Sequence, residues 1–169
     1  MNEIDAVILG IIQGLTEFLP ISSSGHLEIA RTLLQTEQLP SENLLMTSVL
    51  HFATALSTII VFREDITGLF FGMLSKEDKN SKLYIIKILI AIIPAGIVGF
   101  LLSDKIEFLF SGNMFYNNIE FGILMIGFIS SFVTGILACK LMIKVVANNN
   151  LIYFSFYCFI LGLLSILII

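Results

Sequence analysis

Hydrophobic residues are arranged along the chain in four long runs that are separated by shorter polar segments. The runs cover residues 43–62, 83–102, 119–139 and 151–169. Each is long enough to cross the hydrocarbon core of a bilayer as a helix, which takes about 20 residues. A helix also satisfies its own backbone hydrogen bonds in lipid. The pattern therefore predicts an all-α membrane protein with about four transmembrane helices.

The N-terminal segment follows a different pattern. Residues 4–19 form an apolar helical run that Pro20 and a serine- and glycine-rich stretch interrupt, and a short amphipathic helix is predicted over residues 26–35. The second helix is too short and too polar to span a bilayer. We therefore expect a re-entrant helical hairpin over residues 1–42, followed by the four spans over residues 43–169. A simple first span followed by an interfacial helix is the alternative.

The composition is typical of an integral membrane protein. Hydrophobic residues make up 57% of the chain and charged residues 13%, and the mean hydropathy is +0.98; soluble domains have about 25% charged residues. The net charge is −4 and the basic residues form no stripe, so no nucleic-acid partner is expected. Cys139 and Cys158 lie in apolar runs without metal-ligand spacing and are expected to be packing residues.

The distribution of lysine and arginine predicts the orientation in the membrane. Segments 63–82 and 140–150 are rich in basic residues, whereas segment 103–118 has only Lys105. Cytoplasmic loops carry the excess of basic residues, so both basic segments are expected in the cytoplasm. The hairpin over residues 1–42 would then open to the outer face of the membrane.

Two polar residues interrupt the first apolar run. Gln13 and Glu17 are four positions apart and therefore lie on one face of a helix. A carboxylate at the centre of a membrane helix costs about 2.5–3.5 kcal/mol, which makes an intramembrane acid a candidate for function. The structural alternative is that Glu17 lies at the membrane interface, where a charged side chain has a low free-energy cost.

The break after this helix collects hydroxyl groups, backbone N–H groups and an imidazole. They belong to Ser22, Ser23, Ser24, Gly25 and His26. An N-cap for the second helix is the simplest interpretation of the serines. A helix N-terminus also binds phosphate, and Glu17 is compatible with a phosphate if Mg²⁺ or Ca²⁺ lies between them. His26 would then be a general acid or base or the nucleophile, and one serine is the competing nucleophile.

His51 lies within the first predicted span, followed by Thr54, Ser57 and Thr58 at near-helical spacing. A buried histidine on a helix more often pairs with a neighbouring backbone or hydroxyl group than with a ligand. A structural role is therefore the first expectation for His51. Its functional interpretation is a polar wall of the same cavity.

Residues 13–27, with the sequence QGLTEFLPISSSGHL, closely resemble the N-terminal signature of the undecaprenyl-diphosphate phosphatase family, the bacitracin-resistance phosphatases. The resemblance continues through His51, the segment IPAGIVGF at residues 93–100, Asp104, and a C-terminal pattern that begins with GFIS at residues 127–130. Both ends of the family pattern are represented in this chain.

The resemblance implies an enzyme of the bacterial inner membrane that removes one phosphate from undecaprenyl diphosphate at the outer face and recycles the lipid carrier of peptidoglycan synthesis. It implies a metal role for Glu17, with Gln13 as a variant of the first acid of the motif. The implied catalytic positions are Glu17, Ser22, Ser23 and His26. The substrate-binding positions are Ser24, Gly25 and His51.

One family feature is absent from the sequence. The second signature, Pro-Gly-x-Ser-Arg-Ser-Gly, supplies an arginine and serines to the diphosphate, but the only arginines here are Arg31 and Arg63, and neither has that context. The chain passes from family-like residues near Asp104 to residues near Gly127 as though the intervening helices had been removed. We therefore expect impaired phosphatase activity.

The missing helices also bear on the oligomeric state, and two other functions remain open. A homodimer could cover the side of the cavity that missing helices leave open. The alternative functions are a non-catalytic membrane protein that binds a diphosphate lipid, and a small transporter component, which an intramembrane acid and a broken helix would suit.

Overall fold

The structure, a computed structural model, describes residues 1–36, 40–75, 78–101, 119–148 and 151–168. All regular secondary structure in these ranges is helical, as the sequence predicts. The helices are α1 Glu3–Phe18, α2 Ser23–Leu34, α3 Pro40–Val61, α4 Arg63–Leu74, α5 Lys79–Leu101, α6 Phe121–Ala147 and α7 Ile152–Ile168. The chain divides into two compact units, which are Met1–Val61 with Tyr116–Ile169, and Phe62–Phe115.

Three of the four predicted spans are confirmed as helices that are long and apolar enough to cross a bilayer. Within the described residues they are Leu44–Val61 in α3, Lys79–Leu101 and Phe121–Ala147. The fourth predicted span is the apolar helix α7, which is shorter than predicted. Its 17 residues fall below the about 20 that a perpendicular span needs.

Two segments that were predicted as loops are largely helical, so the predicted boundaries there are wrong. In segment 63–82, α4 occupies Arg63–Leu74 and α5 already begins at Lys79. Helix α6 continues to Ala147, so Lys140 and Lys144 project from a helix. Charged residues do not end a membrane helix that extends beyond the hydrocarbon core, because their long side chains reach water. The predicted outer loop with Lys105 lies outside the described residues.

Helix α1 begins and ends at signals that its sequence provides. Asn2 Oδ1 accepts the backbone N–H of Asp5 at 2.8 Å, and Asp5 Oδ2 accepts the backbone N–H of Asn2 at 2.9 Å. This reciprocal pair is a capping box. At the other end Leu19 has extended backbone (φ −87°, ψ 143°), as a residue before proline usually does. Pro20 therefore separates α1 from α2.

Helix α1 packs closely against α6 and runs parallel to it. Gly10 lies against Ser130, and one turn later Gly14 lies against Thr134. Residue numbers thus increase in the same direction along both helices. Small residues at such a contact allow membrane helices to approach closely and gain van der Waals contact.

Helix α3 packs on α6 in the same direction. Gly127 lies against Met46, and Gly135 lies against Ser57. Two buried hydroxyl groups join the helices: Ser131 Oγ donates to the Leu50 carbonyl oxygen at 3.1 Å, and Ser57 Oγ donates to the Phe132 carbonyl oxygen at 2.8 Å. The helices α1, α3 and α6 are therefore mutually parallel.

Helix α2 must run back along α1, because α1 and α3 run in the same direction. Residues 19–22 connect α1 to α2, a connection as short as those of αα-hairpins. Leu9 from α1 and Leu27 from α2 are buried in one cluster with Met46 and Leu50 from α3. The N-terminal segment is thus a helical hairpin that packs against α3.

The tip of this hairpin lies beside the middle of α3 and of α6. Phe18 approaches Gly135, which is halfway along α6, and Glu17 approaches His51. At 1.5 Å per residue, His51 is about 10 Å along the axis from Leu44 and about 15 Å from the end of α3. The hairpin tip therefore lies beside the middle of two apolar helices, and its re-entrant placement in the membrane stays a prediction.

The second unit contains α4 and α5, which pack together where Gly72 approaches Ser81 and Asp78. Asp78 caps α5 by accepting the Ser81 hydroxyl at 2.6 Å and the Ser81 backbone N–H at 3.0 Å. These hydrogen bonds, that of the hydroxyl first, lower the pKa of the Asp78 carboxyl. Helix α5 contains Pro94 and has no buried residue, so its apolar surface is available to lipid.

Candidate active site

The Glu17 carboxylate is held at the hairpin tip by neighbours from both helices of the hairpin. Gln13 Nε2 donates to Glu17 Oε2 at 2.7 Å, and Ser23 Oγ donates to the same oxygen at 2.7 Å. Two hydrogen bonds on a carboxylate fix its direction. Both bonds fall on Oε2, so Oε1 is left for another ligand.

His51, on α3, lies beside the same carboxylate. Its Nδ1 donates to the Thr47 carbonyl oxygen at 2.8 Å, and its Nε2 lies 3.6 Å from Glu17 Oε2. The backbone contact is the one expected for a structural histidine, and the carboxylate contact is the one expected for a cavity wall. The side chains of Glu17 and His51 are 31% and 38% exposed, so a ligand can reach them.

The residues beside Glu17 include oxygen atoms of the type that Mg²⁺ and Ca²⁺ bind. Gln13 is fully buried, and its Oε1 has no hydrogen-bond partner among the described residues; a buried amide oxygen without a partner costs about 1–3 kcal/mol. Glu17 Oε1 is a second hard oxygen atom on the same helix, four positions away. No group of three acidic, histidine or cysteine side chains converges among the described residues. These oxygen atoms fit a cation that is held by one carboxylate and by the substrate phosphates. They do not fit a site in which protein ligands alone surround the cation.

The serine-rich break forms the N-terminus of α2, which begins at Ser23 and not at residue 26. Ser22 is the N-cap residue, but its side chain makes no capping hydrogen bond and its φ is 65°. A serine therefore occupies the N-cap position, as predicted, but without the side-chain hydrogen bond of a cap. A Cβ atom on Gly25 would lie 3.4 Å from Ser22 Oγ, which is an ordinary van der Waals contact. Ser24 is exposed in the same first turn.

His26 projects from α2 on the other side of the break. Its Nδ1 donates to the Ser22 carbonyl oxygen at 2.8 Å, and its Nε2 meets the Tyr157 hydroxyl at 2.7 Å. The site thus has two parts. One joins Gln13, Glu17, Ser23 and His51 in one cluster, and the other joins His26 to Ser22 and Tyr157.

Within the described ranges, the arginine contacts are with residues other than Glu17 and His26. Arg31 donates to the Thr47 hydroxyl and pairs with Glu28 at 3.7 Å. Arg63 belongs to the second unit, where it pairs with Glu64 at 3.8 Å. Through Thr47, whose carbonyl oxygen accepts from His51, Arg31 supports α3 behind the site.

Two clefts separate the hairpin tip from α7. One of about 350 Å³ is lined by residues that include Ser22, Gly25 and His26. The other, of about 380 Å³, is lined mainly by apolar side chains; they belong to Leu15, Thr16, Leu19, Ile21, Tyr153, Phe154 and Tyr157. Both clefts are thus lined mostly by apolar residues, and the first also contains the polar side chains of Ser22 and His26.

Sequence reasoning missed one side chain of this site. Tyr157 lies in an apolar run, 131 positions from His26, and its only signal in the sequence is a hydroxyl group inside that run. Cys158, its neighbour, is confirmed as a free cysteine, as is the buried Cys139. The fold and the site together define an α-helical, multi-pass membrane protein with a carboxylate, serine and histidine site at the tip of a broken helix.

Comparison with known proteins places the chain within this class. The family model of the bacitracin resistance protein BacA matches residues 6–126, and the chain belongs to that family. An undecaprenyl-diphosphatase of Christiangramia forsetii is 31% identical over 259 positions that cover 99% of this chain and 98% of the relative. One of Bacteroides fragilis is 30% identical over 264 positions, with 99% and 98% covered. No solved structure matches the chain significantly.

The alignments also confirm that the chain is internally shortened. The alignment with the Christiangramia forsetii protein is 259 positions long, 90 more than the 169 residues of this chain. An undecaprenyl-diphosphatase of Bacteroides thetaiotaomicron aligns without such an extension, at 41% identity, over 68% of this chain but only 42% of the relative. Segments of the longer relatives therefore have no counterpart here, as the missing second signature predicted.

Proposed function

We propose that the chain hydrolyses a polyprenyl diphosphate of the undecaprenyl type to the lipid monophosphate and inorganic phosphate. In a bacterium this reaction would return the lipid carrier of peptidoglycan synthesis to use. The observation that carries the proposal is the cluster of Glu17, Ser23 and His51 at the hairpin tip, next to the apolar cleft. Such a site offers polar groups to a charged head and an apolar surface to a prenyl chain.

The cofactor of this reaction would be Mg²⁺ or Ca²⁺. Glu17 Oε1 and Gln13 Oε1 are the protein oxygens that would hold the cation, and the substrate phosphates would supply further ligands. When bound, the cation would neutralise charge on the diphosphate and polarise its terminal phosphoryl group.

The geometry favours Ser23 as the nucleophile, because its hydroxyl already donates to the Glu17 carboxylate at 2.7 Å. Ser23 Oγ attacks the terminal phosphorus while its proton passes to Glu17 Oε2. The bond from that phosphorus to the bridging oxygen breaks, and the lipid monophosphate leaves with the bridging oxygen. Water then attacks the phosphoserine, the serine oxygen leaves and regains a proton, and inorganic phosphate is released.

His26 and the N-terminus of α2 assist this reaction from the other part of the site. The His26 Nδ1 proton is committed to the Ser22 carbonyl oxygen, so Nε2 is the basic atom that takes a proton from the attacking water. The first backbone N–H groups of α2, among them those of Ser24 and Gly25, have no intrahelical acceptor. They are suited to hold a phosphate oxygen.

The same proposal includes a place in the bacterial inner membrane with the site open to the outer face. Because α3 and α6 are parallel, the end of α3, which Arg63 follows, and the end of α6, which carries Lys140 and Lys144, lie on one side. Basic residues favour the cytoplasmic side. The hairpin opens on the opposite side, beside the start of α3.

We also propose that a second copy of the chain covers the clefts between the hairpin and α7. Polar groups of His26 and Ser22 line the first of these clefts, and polar groups facing lipid are costly. Measurement of the protein mass in detergent by light scattering should give a dimer. A monomer at all concentrations would contradict the proposed homodimer and leave the catalytic proposal intact.

The catalytic proposal is tested by phosphate release from a polyprenyl diphosphate in detergent with Mg²⁺ or Ca²⁺. Glu17→Gln should reduce release by about 10²-fold or more, because it removes both the base and the cation ligand. Glu3→Gln is the matched control, since Glu3 is an acid in the exposed first turn of the same helix. Equal activity of Glu17→Gln and the wild-type chain would refute the proposed site.

A further inference from the structure

Tyr157 is the side chain of α7 that reaches the reactive part of the hairpin. Its hydroxyl lies 2.7 Å from His26 Nε2. The two rings stack with centroids 5.6 Å apart and planes inclined by 11°. Next to it, Cys158 Sγ donates to the Pro20 carbonyl oxygen at 3.8 Å. Two successive residues of α7 therefore bridge the gap to the hairpin break.

The hydrogen bonds of His26 assign a different role to each ring nitrogen. The Ser22 carbonyl oxygen can only accept, so Nδ1 must carry the proton of the neutral ring. Nε2 is then an acceptor, and the Tyr157 hydroxyl donates to it. Ser22 thus fixes the tautomer, and the Tyr157 hydroxyl occupies the lone pair of Nε2 and so fixes the orientation of the ring.

A phenol hydroxyl can hold the ring in both of its protonation states. It donates to Nε2 of the neutral imidazole and accepts from Nε2–H of the imidazolium. A carboxylate or an ammonium group at this place would favour one of the two states. A proton therefore reaches Nε2 through the hydroxyl: the attacking water gives a proton to the Tyr157 oxygen while the hydroxyl proton passes to Nε2, and the contact keeps the ring oriented throughout.

We propose that Tyr157 positions His26 and passes the proton of the attacking water to its Nε2 in the diphosphate hydrolysis. The proposal rests on the proposed function, and it places a working residue of the reaction in α7, beyond the part of the chain that the family model matches, residues 6–126. Tyr157 acts through the imidazole: it holds the ring plane by stacking and the lone pair by its hydroxyl.

The chain offers a direct spectroscopic test, because His26 and His51 are its only histidines. Protein labelled with ¹⁵N-histidine and held in detergent micelles gives two sets of imidazole signals, and His51→Gln identifies those of His51. Tyr157→Phe keeps the stacked ring and removes the hydroxyl, so the Nε2 signal of His26 should shift towards that of a nitrogen without a hydrogen bond. The His51 signals should stay in place.

Tyr84→Phe is the matched control, since it removes a phenol hydroxyl from an exposed tyrosine of α5, in the second unit. It should leave the signals of both histidines unchanged. Identical His26 signals in wild type and Tyr157→Phe, or equal shifts in both phenylalanine variants, would overturn the proposed contact. This readout needs no turnover, so it separates failure of the contact from failure of the proposed function.

Kinetics tests the role of the contact in the reaction. Tyr157→Phe should lower kcat by about 10- to 100-fold, the scale of a misplaced catalytic group, with KM nearly unchanged, and Tyr84→Phe should keep the wild-type kcat. A shifted His26 signal together with an unchanged kcat would overturn the positioning role. Phosphate release by neither variant nor wild type would instead refute the proposed function.

Discussion

Ser23 Oγ and Glu17 Oε2 are 2.7 Å apart across the break between the two helices of the hairpin. The separation is that of a nucleophile and its base. We predict that Ser23→Ala lowers phosphate release by about 10²- to 10⁴-fold, because the proposed phosphoserine cannot form. The measurement is initial-rate phosphate release, together with trapping of labelled phosphate on the protein by acid.

The neighbouring serine provides the control for this prediction. Ser24 is exposed in the same turn of α2 and has no contact with Glu17 among the hydrogen bonds of the described residues. Ser24→Ala should therefore retain at least about a tenth of the wild-type rate, the loss expected for one hydrogen bond to a phosphate. Trapped phosphate that is lost in acid and stable in alkali would identify a phosphohistidine and assign the nucleophile to His26.

The unpartnered amide oxygen of Gln13 leads to a prediction about the cation. Gln13→Glu would place a second carboxylate beside Glu17, where two like charges repel each other unless a cation joins them. We expect the variant to bind Mg²⁺ or Ca²⁺ about tenfold more tightly and to have a lower Tm than wild type in EDTA. Titration of Tm with the cation measures both effects, because a ligand of the folded state raises Tm.

Gln13→Met tests the same site by removing its oxygen at similar length. It should weaken the cation-dependent rise in Tm without lowering Tm in EDTA, since a thioether leaves no buried polar oxygen unpaired. Equal cation dependence in wild type, Gln13→Glu and Gln13→Met would show that position 13 does not hold the cation.

Close packing of α1 on α6 predicts a large stability effect at Gly14. A Cβ atom there would lie 2.6 Å from the Ser131 carbonyl oxygen and 2.8 Å from the Gly135 backbone nitrogen. Both atoms belong to the backbone, so the helices must separate. Gly14→Ala should lower the free energy of unfolding by about 1–3 kcal/mol, the usual cost of overpacking, as measured by SDS titration with circular dichroism.

Gly122→Ala is the control for this effect. Gly122 lies on α6 with no atom within 4 Å of an added Cβ, so alanine there should be neutral or slightly stabilising, as helix propensity favours it. Equal destabilisation by both substitutions would mean that loss of glycine from the helix, and not contact between α1 and α6, is responsible.

Local sequence signals predicted the hairpin and the Glu17 part of the site. The break at Pro20 follows from the chemistry of proline, and Gln13 and Glu17 share a helix face because of their spacing. The role of His51 could not be decided from the sequence. Its contact with the Thr47 carbonyl oxygen fits the structural interpretation, and its contact with Glu17 fits the functional one. Only the packing of α3 against the hairpin reveals the second contact.

Contacts between residues that are far apart in the sequence could not be predicted. Tyr157 joins His26 only because α7 comes to lie beside the hairpin, and no short-range pattern encodes that proximity. Helix α4 was predicted as a loop because Arg63, Glu64 and Asp65 open it, although acids in a first turn favour a helix. Ser22 occupies the expected N-cap position of α2, but it has a positive φ and its side chain makes no capping hydrogen bond.

The absent Ser-Arg-Ser signature predicts how fast this chain works. Loss of one donor that stabilises a transition state costs about 10²–10³-fold in rate, and a lysine would not replace the fork of an arginine. We expect phosphate release to be slower by this factor than that of the longer Christiangramia forsetii relative, assayed side by side. Millimolar guanidinium should restore part of the rate to this chain and none to the relative, because the free cation can occupy the place of the missing side chain. Equal rates without guanidinium would mean that the site at the hairpin tip is complete without an arginine.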